Sequence, residues 1–496
     1  MSDSKTLDFN GKARLPGIFL TLLTFLGSAV LLVCALRTGM VPGLYLAALS
    51  AGCLIAIILT YVLTKNPRQK IRFLIGILWS ILCLVLFCFA GYFIRQTQNT
   101  LEQVSGVTYE TSSISFYVKK EASVQTLQDV SEETFGILKV LDRENTEDAL
   151  KQLQEEQDIH PSTKEYEGLT QMADALRNDE VGVIVLNQAF LTLYEEADGY
   201  ETFPDEIREL ATKQLKHAIP STVQEEGQKE TEQNTASSQQ DSSDVIHIYI
   251  SGSDTRSSTL AGRSNSDVNI IASINPSEKK ILLLTTPRDY YVPLSISGGV
   301  PDKLTHAGIY GVQVSMDTLS MLYEIPIDYY FRMNFVGFVD IIDALGGVDV
   351  YSEYDFDAGG YHFQKGINTL NGTQALAFSR ERYSFASGDR QRGKNQMAVI
   401  NGVIQKASSP AILTKYFSIL QEVQDCVETN IPYDLMAELV RIQLSNPGSW
   451  EVTSYSVDGT GDSQIPYSMS IPVYVMNPDY ETVDHAKTLL KQIADK

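Results

Sequence analysis

Three long stretches without a charged residue open the chain: Leu15–Leu36, Thr38–Thr64 and Phe73–Ile94. Each exceeds the roughly 20 residues needed to cross the hydrocarbon core of a bilayer as a helix. The first is long, uninterrupted and closely followed by two more, unlike a cleaved signal peptide. Lys5, Lys12 and Arg14 precede the first stretch, and Lys65, Arg68, Lys70 and Arg72 fill the gap between the second and third. The turn around Pro42 has only Arg37 at its edge. Positive charge collects on the cytoplasmic side, so the N-terminus and second loop are expected inside and everything after Ile94 outside. The expected location is a multi-pass anchor in the cell membrane with an extracellular soluble part.

The formal net charge of −22 argues against a nucleic-acid partner, which requires a basic face to displace counterions. It leaves room for a phosphate pocket, because a local arginine cluster sets its own field. Of five cysteines, Cys34, Cys53, Cys83 and Cys88 lie in the apolar stretches and Cys426 stands alone, so no internal disulfide framework is expected outside the membrane. No Cys/His spacing suggests zinc.

The reading divides the chain into an anchor over 1–97, an α+β accessory domain over 98–223, a linker over 224–244 and an α/β domain over 245–496. Gln224–Asp244 is rich in Gln, Ser, Thr and Glu, and such a segment buries too little apolar surface to offset chain entropy. The accessory region mixes runs such as Val181–Leu186 with acidic helical stretches such as Glu147–Glu156, and it holds no catalytic constellation. From Val245 strands and helices alternate: Val245–Ile250, Val268–Ile274, Ile281–Thr285, Tyr329–Phe335 and Val348–Tyr351 read as strands. Val314–Tyr323, Phe338–Leu345 and Tyr480–Lys496 read as helices, the second closed by Gly346-Gly347. Interleaving of this kind predicts helix layers around a central sheet.

Arginine and aspartate recur where these strands end. Asp254 and Arg256 stand in SGSDTR, Arg263 and Asp267 in GRSNSD, and Arg288 and Asp289 in TPRD. Arg380 and Arg382 follow in SRERY, then Asp389, Arg390 and Arg392 in GDRQR. Ligands of open α/β sheets collect at strand carboxyl ends, where these loops would meet. Guanidinium groups bind phosphate oxygens in bidentate, charge-assisted fashion. Paired carboxylates with phosphate oxygens suit Mg²⁺, a hard cation. The same neighbours are also the ordinary makings of surface ion pairs, which contribute little. No GxSxG elbow or Walker loop is present. His306, in DKLTHAG, reads as a structural histidine, and Asn371-Gly372-Thr373 as a chance tripeptide.

The ordered set GSDTR, TPRD, DKLTHAG, IPIDYYFRMNFVGFVDIIDALGGVDV, GYHF, LNGTQALAFSRER and Asp-Arg-Gln-Arg, between Val245 and Ala407, resembles the LytR-CpsA-Psr proteins of Gram-positive bacteria. Three spans plus an extra domain look most like the capsule-associated streptococcal CpsA members. The resemblance implies an α/β/α catalytic domain with a central mixed sheet, following three transmembrane helices and an α+β accessory domain. It implies a Mg²⁺-dependent phosphotransferase, with Mn²⁺ as a substitute. The enzyme would move a capsular polysaccharide or teichoic acid from a polyprenyl pyrophosphate carrier onto peptidoglycan. Other capsule-assembly proteins are further expected partners. By motif, Asp254 and Asp267 would hold the metal. Arg288, Arg380, Arg382 and Asp289 would be catalytic, and Arg256, Arg263, Arg390, Arg392 and Gln396 would join Arg288, Arg380 and Arg382 in binding substrate. Two positions depart from the family pattern: Asn265 and Asn395 stand where arginines are common, with Arg263, Arg390 and Lys394 as candidate substitutes. The alternatives are a polyprenyl-pyrophosphate hydrolase, a non-catalytic carrier-binding regulator of capsule assembly, and a transcription factor, which the acidic, external soluble part disfavours.

Overall fold

The computed structural model describes residues 15–104, 109–219, 245–253, 260, 262–409, 412, 419 and 426–494. The expected linker over 224–244 lies outside them, as do Asp254 and Arg256. Two compact units are present, one of residues up to 105 with 408–421 and 432–448, the other of 106–407, 422–431 and 449–496.

The first unit contains helices α1 (Leu15–Arg37), α2 (Gly43–Thr64) and α3 (Lys70–Val104). Their burial pattern inverts that of a water-soluble bundle. Phe19, Leu44 and Phe89 are exposed, whereas Gly17, Thr24, Ser28, Thr60 and Thr64 are buried. Thr24 and Ser80 hydroxyls bond at 3.0 Å, and the Thr64 hydroxyl donates to the Gly17 carbonyl at 3.3 Å. A Cβ at Gly17 would lie 2.4 Å from the Thr64 carbonyl oxygen, so only glycine permits that approach. Small residues inside and large apolar ones outside are what lipid as solvent selects. α2 starts at Gly43 rather than Thr38, since Pro42 in extended geometry fits just ahead of a helix and not within one. A later helix, Tyr433–Ser445, belongs to this unit, and its Tyr433 hydroxyl donates to the Thr38 carbonyl at 2.9 Å.

The second unit contains two main sheets. The first is ordered β3-β2-β4-β1-β5, built from β1 (Tyr109–Lys119), β2 (Thr134–Leu138), β3 (Ser162–Tyr166), β4 (Val183–Asn187) and β5 (Ile207–Ala218). Ile114, Phe116 and Val118 pack with Leu150 and Leu153 of helix α4 (Arg143–Gln157). Tyr117, Ile184 and Leu186 pack on the opposite side with Met172 and Leu176 of helix α5 (Leu169–Arg177). That second core also takes in Leu294, Ala307, Ile309 and Tyr310 from beyond residue 245.

The central sheet has β6 (Ile246–Ser253), β7 (Val268–Asn275), β8 (Lys280–Thr285), β9 (Tyr329–Asn334), β10 (Val427–Thr429) and β11 (Glu451–Ser456), ordered β10-β9-β6-β7-β8-β11. β6 runs parallel to β9 and β8 to β11, while β7 is antiparallel to both β6 and β8. The sheet is therefore mixed, and the start of β7 lies at the edge where β6, β8, β9 and β11 end. Alternate residues feed opposite faces, as strand geometry requires. Ile271, Leu282 and Leu284 meet Met316 and Leu319 of α6 (Val312–Tyr323), together with Ala486 and Leu490 of the terminal helix Tyr480–Ala494. Ile270, Ala272 and Leu283 meet Met397 and Trp450 on the other face.

Candidate phosphate-binding site

The reversed direction of β7 brings Asp267, just before that strand, beside Arg288, just after β8. Asp267 is held by its backbone N–H on the Gly252 carbonyl at 2.9 Å. Its neighbour Ser266 is a buried node, with its hydroxyl 2.9 Å from that of Tyr249, 2.8 Å from that of Ser251 and 3.0 Å from the Val268 carbonyl it donates to. Arg288 Nη1 then donates to Asp267 Oδ1 at 2.7 Å, and its Nε lies 3.6 Å from Asp289 Oδ2. Burial opposes charge on Arg288, but Asp267 and then Asp289 outweigh it and hold the guanidinium firmly protonated.

A cavity of about 420 Å³ opens here, lined by Arg288, Asp289, Lys303, Arg382, Asp389 and Glu196, with Val473, Tyr474 and Met476. Lys303 Nζ sits between Asp289 Oδ1 and Glu196 Oε2, each at 2.6 Å. The approach to Asp289 is a close ionic contact poorly aligned for a directed hydrogen bond, since that oxygen makes none. Burial lowers the Lys303 pKa, yet the charges of Asp289 and Glu196 reverse the effect and raise it. Behind the cavity His306 is fully buried, its Nδ1 2.7 Å from Asp302 Oδ1 and 2.9 Å from the Ser468 hydroxyl. Burial disfavours the imidazolium, but the Asp302 charge and hydrogen bond, with Glu196 behind them, push its pKa up to about 9. His306 Nε2 faces Glu196 Oε2 at 3.6 Å. Burial favours the neutral form of Glu196, and His306 and Lys303 overcome it, holding the carboxyl well below the usual range.

Arg380, the last residue of α8 (Gly372–Arg380), lines a second and mostly apolar cavity of about 70 Å³. Its walls include Val268, Phe335, Phe338, Leu376, Ile400 and Gln396. The Arg380 guanidinium carbon stands 4.4 Å from the centroid of the Phe335 ring, at the start of α7 (Phe335–Ala344). Val268 in this wall directly follows Asp267, so the apolar cavity begins one residue from the Arg288–Asp267 pair.

The structure thus brings together Asp267, Arg288, Asp289 and Arg382, and it sets Arg380 and Gln396 around the neighbouring apolar space. Arg392 touches the first cavity only through Asp389, its Nη2 2.6 Å from Asp389 Oδ1. Arg390 turns to Asp458 at 2.6 Å and to the Gly459 carbonyl at 3.0 Å. Lys394 lies 3.8 Å from Glu353. Arg263 departs furthest from its expected substrate role, with Nε 3.5 Å from Glu110 Oε2 on β1. There it joins a buried cluster in which Arg332 Nη1 bonds Glu110 at 3.0 Å and approaches Glu428 at 3.4 Å. Arg263, Arg390 and Lys394, the candidate substitutes for arginines at Asn265 and Asn395, line neither of these two cavities. Asn395 itself is buried in α9 (Asp389–Ala407), accepts from Gln391 at 3.0 Å and donates to the Phe378 carbonyl at 3.2 Å, tying α9 to α8.

Sequence reading missed Lys303 and Glu196. Lys303 is visible in DKLTHAG as a cation beside a histidine, whereas no local motif marks Glu196, which arrives from the first sheet's side of the unit. Asn371 of the tripeptide proves to be the N-cap of α8, its side chain accepting from the Gln374 N–H at 2.9 Å.

The rim offers oxygen donors of the hard kind that a divalent cation takes, the carboxylates of Asp267, Asp289 and Asp389, whose Oδ1 atoms are paired with Arg288, Lys303 and Arg392 at 2.7, 2.6 and 2.6 Å. Among the described residues no group of three or more His, Cys, Asp or Glu is arranged to hold a metal ion.

The chain is 37% identical over 198 residues to a protein named polyisoprenyl-teichoic acid–peptidoglycan teichoic acid transferase TagU from Bacillus cereus strain AH820, covering 40% of this chain and 64% of that protein. The protein of the same name from Halalkalibacterium halodurans matches with the same identity and coverage. The chain therefore spans somewhat less than two thirds of these relatives' length. Among solved structures, Bacillus subtilis TagV aligns at 28% identity and a TM-score of 0.43, covering 51% of this chain and 97% of that one. TagT bound to LI-WTA aligns at 26% identity and a TM-score of 0.40, covering 51% and 92%. A model described as DNA polymerase processivity factor matches residues 69–186, a minor part of the chain that includes the whole of apolar helix α3, and it assigns no family. The model described as LytR_cpsA_psr family matches residues 212–492, more than half of the chain, with the whole of the central sheet, the apolar cavity and every lining residue of the larger cavity except Glu196, and the chain belongs to that family.

Proposed function

We propose that this chain is a membrane-anchored transferase that passes a glycopolymer phosphate from a polyprenyl pyrophosphate carrier to a peptidoglycan hydroxyl. The observation that carries the reading is the meeting of Arg288, Lys303 and Arg382 around one cavity, one residue away from an apolar cavity capped by Arg380. A pyrophosphate headgroup joined to an apolar chain needs that pairing. Arg288 and Arg382 bind phosphate oxygens, and Arg380 faces the headgroup from the entrance of the prenyl groove. Asp289, with its oxygens facing Lys303 and Arg288, acts as a fixed counter-charge that orients both cations. Fixed cations of this kind stabilise the charge that builds as the phosphoryl group transfers, and the loose transition state asks little of a base.

Mg²⁺ would be held by Asp267 and Asp254, and when bound it supplies further neutralisation of the transferring phosphoryl. The teichoic acid transferases among the relatives support the glycopolymer class, and the likeness of three spans plus an extra domain to the capsule-associated members favours a capsular polysaccharide as the particular cargo. The α1–α3 lengths support the membrane anchor. The charges of Lys65, Arg68, Lys70 and Arg72 between the second and third spans support an external catalytic part.

The test is to supply the detergent-solubilised chain with a lipid-pyrophosphate sugar, Mg²⁺ and peptidoglycan fragments. Release of polyprenyl phosphate together with a new phosphodiester product is expected. No release, or release equal in wild type and Arg288→Ala, would overturn the reading. Release without a phosphodiester product would make the protein a hydrolase.

A further inference from the structure

One carboxylate in the cation-lined cavity comes from the region of the first sheet. Glu196 directly follows the short helix Leu191–Glu195, and its Oε2 is fixed by Lys303 at 2.6 Å. Its Oε1 has no hydrogen-bond partner among the described residues, although the side chain lines the cavity. A carboxylate here repels a second anion, yet it accepts strongly from hydroxyl donors. Tyr474 lines the same cavity from the strand Val473–Pro478. Its ring lies over Gly461 of the paired strand Gly459–Gln464: a Cβ there would stand 2.9 Å from Tyr474 Cε2 and 3.1 Å from its oxygen. The strand thus supports the ring, which remains 54% exposed. An anchored acceptor and an open aromatic face suit the two surfaces of a pyranose, its hydroxyl edge and its C–H face. At about 420 Å³ the cavity is of ordinary ligand size, with space beyond a phosphate group.

We propose that Glu196 and Tyr474 form a sugar subsite within the phosphate cavity, so that the region of the extra sheet takes part in substrate recognition by contacting a hydroxyl-bearing pyranose next to the phosphate. The proposal rests on the transferase reading and adds to it the recognition of the ring itself. The sugar belongs either to the carrier or to the acceptor, and the arms of the experiment separate the two.

The experiment measures equilibrium binding to the full chain in lipid nanodiscs of three probes: polyprenyl pyrophosphate without sugar, the same lipid bearing one hexose, and a disaccharide-peptide fragment of peptidoglycan. Glu196→Gln keeps the side-chain shape and removes its charge, while Tyr474→Ala removes the ring at an exposed position. Tyr474→Ala is expected to weaken one sugar-bearing probe severalfold and to leave the sugar-free lipid within about twofold of wild type, whereas Glu196→Gln, which also removes a charge that repels the pyrophosphate, is expected to lower that probe's affinity relative to the sugar-free lipid by roughly tenfold, the size of one charged hydrogen bond. Loss on the hexose lipid assigns the ring to the donor, and loss on the fragment assigns it to the acceptor. Unchanged binding of all probes overturns the proposal. Equal weakening of sugar-free and sugar-bearing lipid also overturns it, because Glu196 would then act only through Lys303. If wild type and Arg288→Ala bind the sugar-free lipid equally, the transferase reading itself fails, a result distinct from either variant's effect.

Discussion

Arg288 and Asp267, which are 21 residues apart in the chain, meet through a 2.7 Å hydrogen bond because β7 runs against both of its neighbours. That pair stands between the polar cavity and the first residue of the apolar one. On the proposed function, replacing Arg288 with alanine should reduce polyprenyl phosphate release by about 100-fold or more, since the proposed charge-assisted bonds to phosphate would be lost together with the bond to Asp267. Lysine at this position should recover only part of the rate, for want of a planar fork. Release assays on both variants, with thermal melts to confirm folding, check this.

Arg380→Met keeps an apolar stem above Phe335 while removing the cation. Affinity for polyprenyl pyrophosphate should fall roughly tenfold with little change in melting temperature. A large loss of stability with unchanged affinity would show that Arg380 only braces α8.

His306 yields a pH prediction with a definite sign. Its folded pKa of about 9 is above the ordinary 6.5, so its contribution is fully present below about pH 6.5 and fades as pH rises through 9. Glu196 acts oppositely: its folded pKa is depressed, so its contribution is present above about pH 4.5 and is lost as pH falls below that. Denaturation midpoints measured from pH 6 to 10 should decline in wild type and decline less steeply in His306→Gln, which should also be less stable throughout.

Arg332→Met should destabilise the second unit by about 3 kcal/mol, because it removes the nearest cation from buried Glu110 and from half-buried Glu428. The double variant Arg332→Met with Glu110→Met should recover a good part of that loss. A double-mutant cycle read by thermal unfolding checks the coupling.

Asn395→Arg, which restores the residue common in the family, should lower stability by about 1–3 kcal/mol and leave turnover no higher. The site is buried and committed to Gln391 and the Phe378 carbonyl, so a longer, charged side chain breaks both bonds and must displace its neighbours. A rise in turnover would show that the helix opens to present an arginine to the cavity.

The elements were legible where periodicity is local. The runs at Val268, Ile281 and Tyr329 are strands within a residue or so of their expected limits, and the helix expected from Phe338 begins three residues earlier, at Phe335, where Asn334 caps it. Strand direction was not legible, since an antiparallel β7 looks the same in sequence as a parallel one. Arg288, Asp289 and Arg382 were readable as one cluster from their place after strands and motifs. The positions of Arg263 and Arg390 were not, because their partners Glu110 and Asp458 lie far along the chain and only tertiary packing selects them. Glu196 was invisible for the same reason.

The core shared by Tyr117, Ile184 and Phe190 with Leu294, Ile309 and Tyr310 has a practical consequence for anyone cutting this polypeptide. A fragment starting at Val245 would turn those latter side chains to water and would also remove Glu110 from Arg332. Such a fragment should aggregate, whereas one beginning near Tyr109 retains both halves of the interior and is the shorter piece worth expressing.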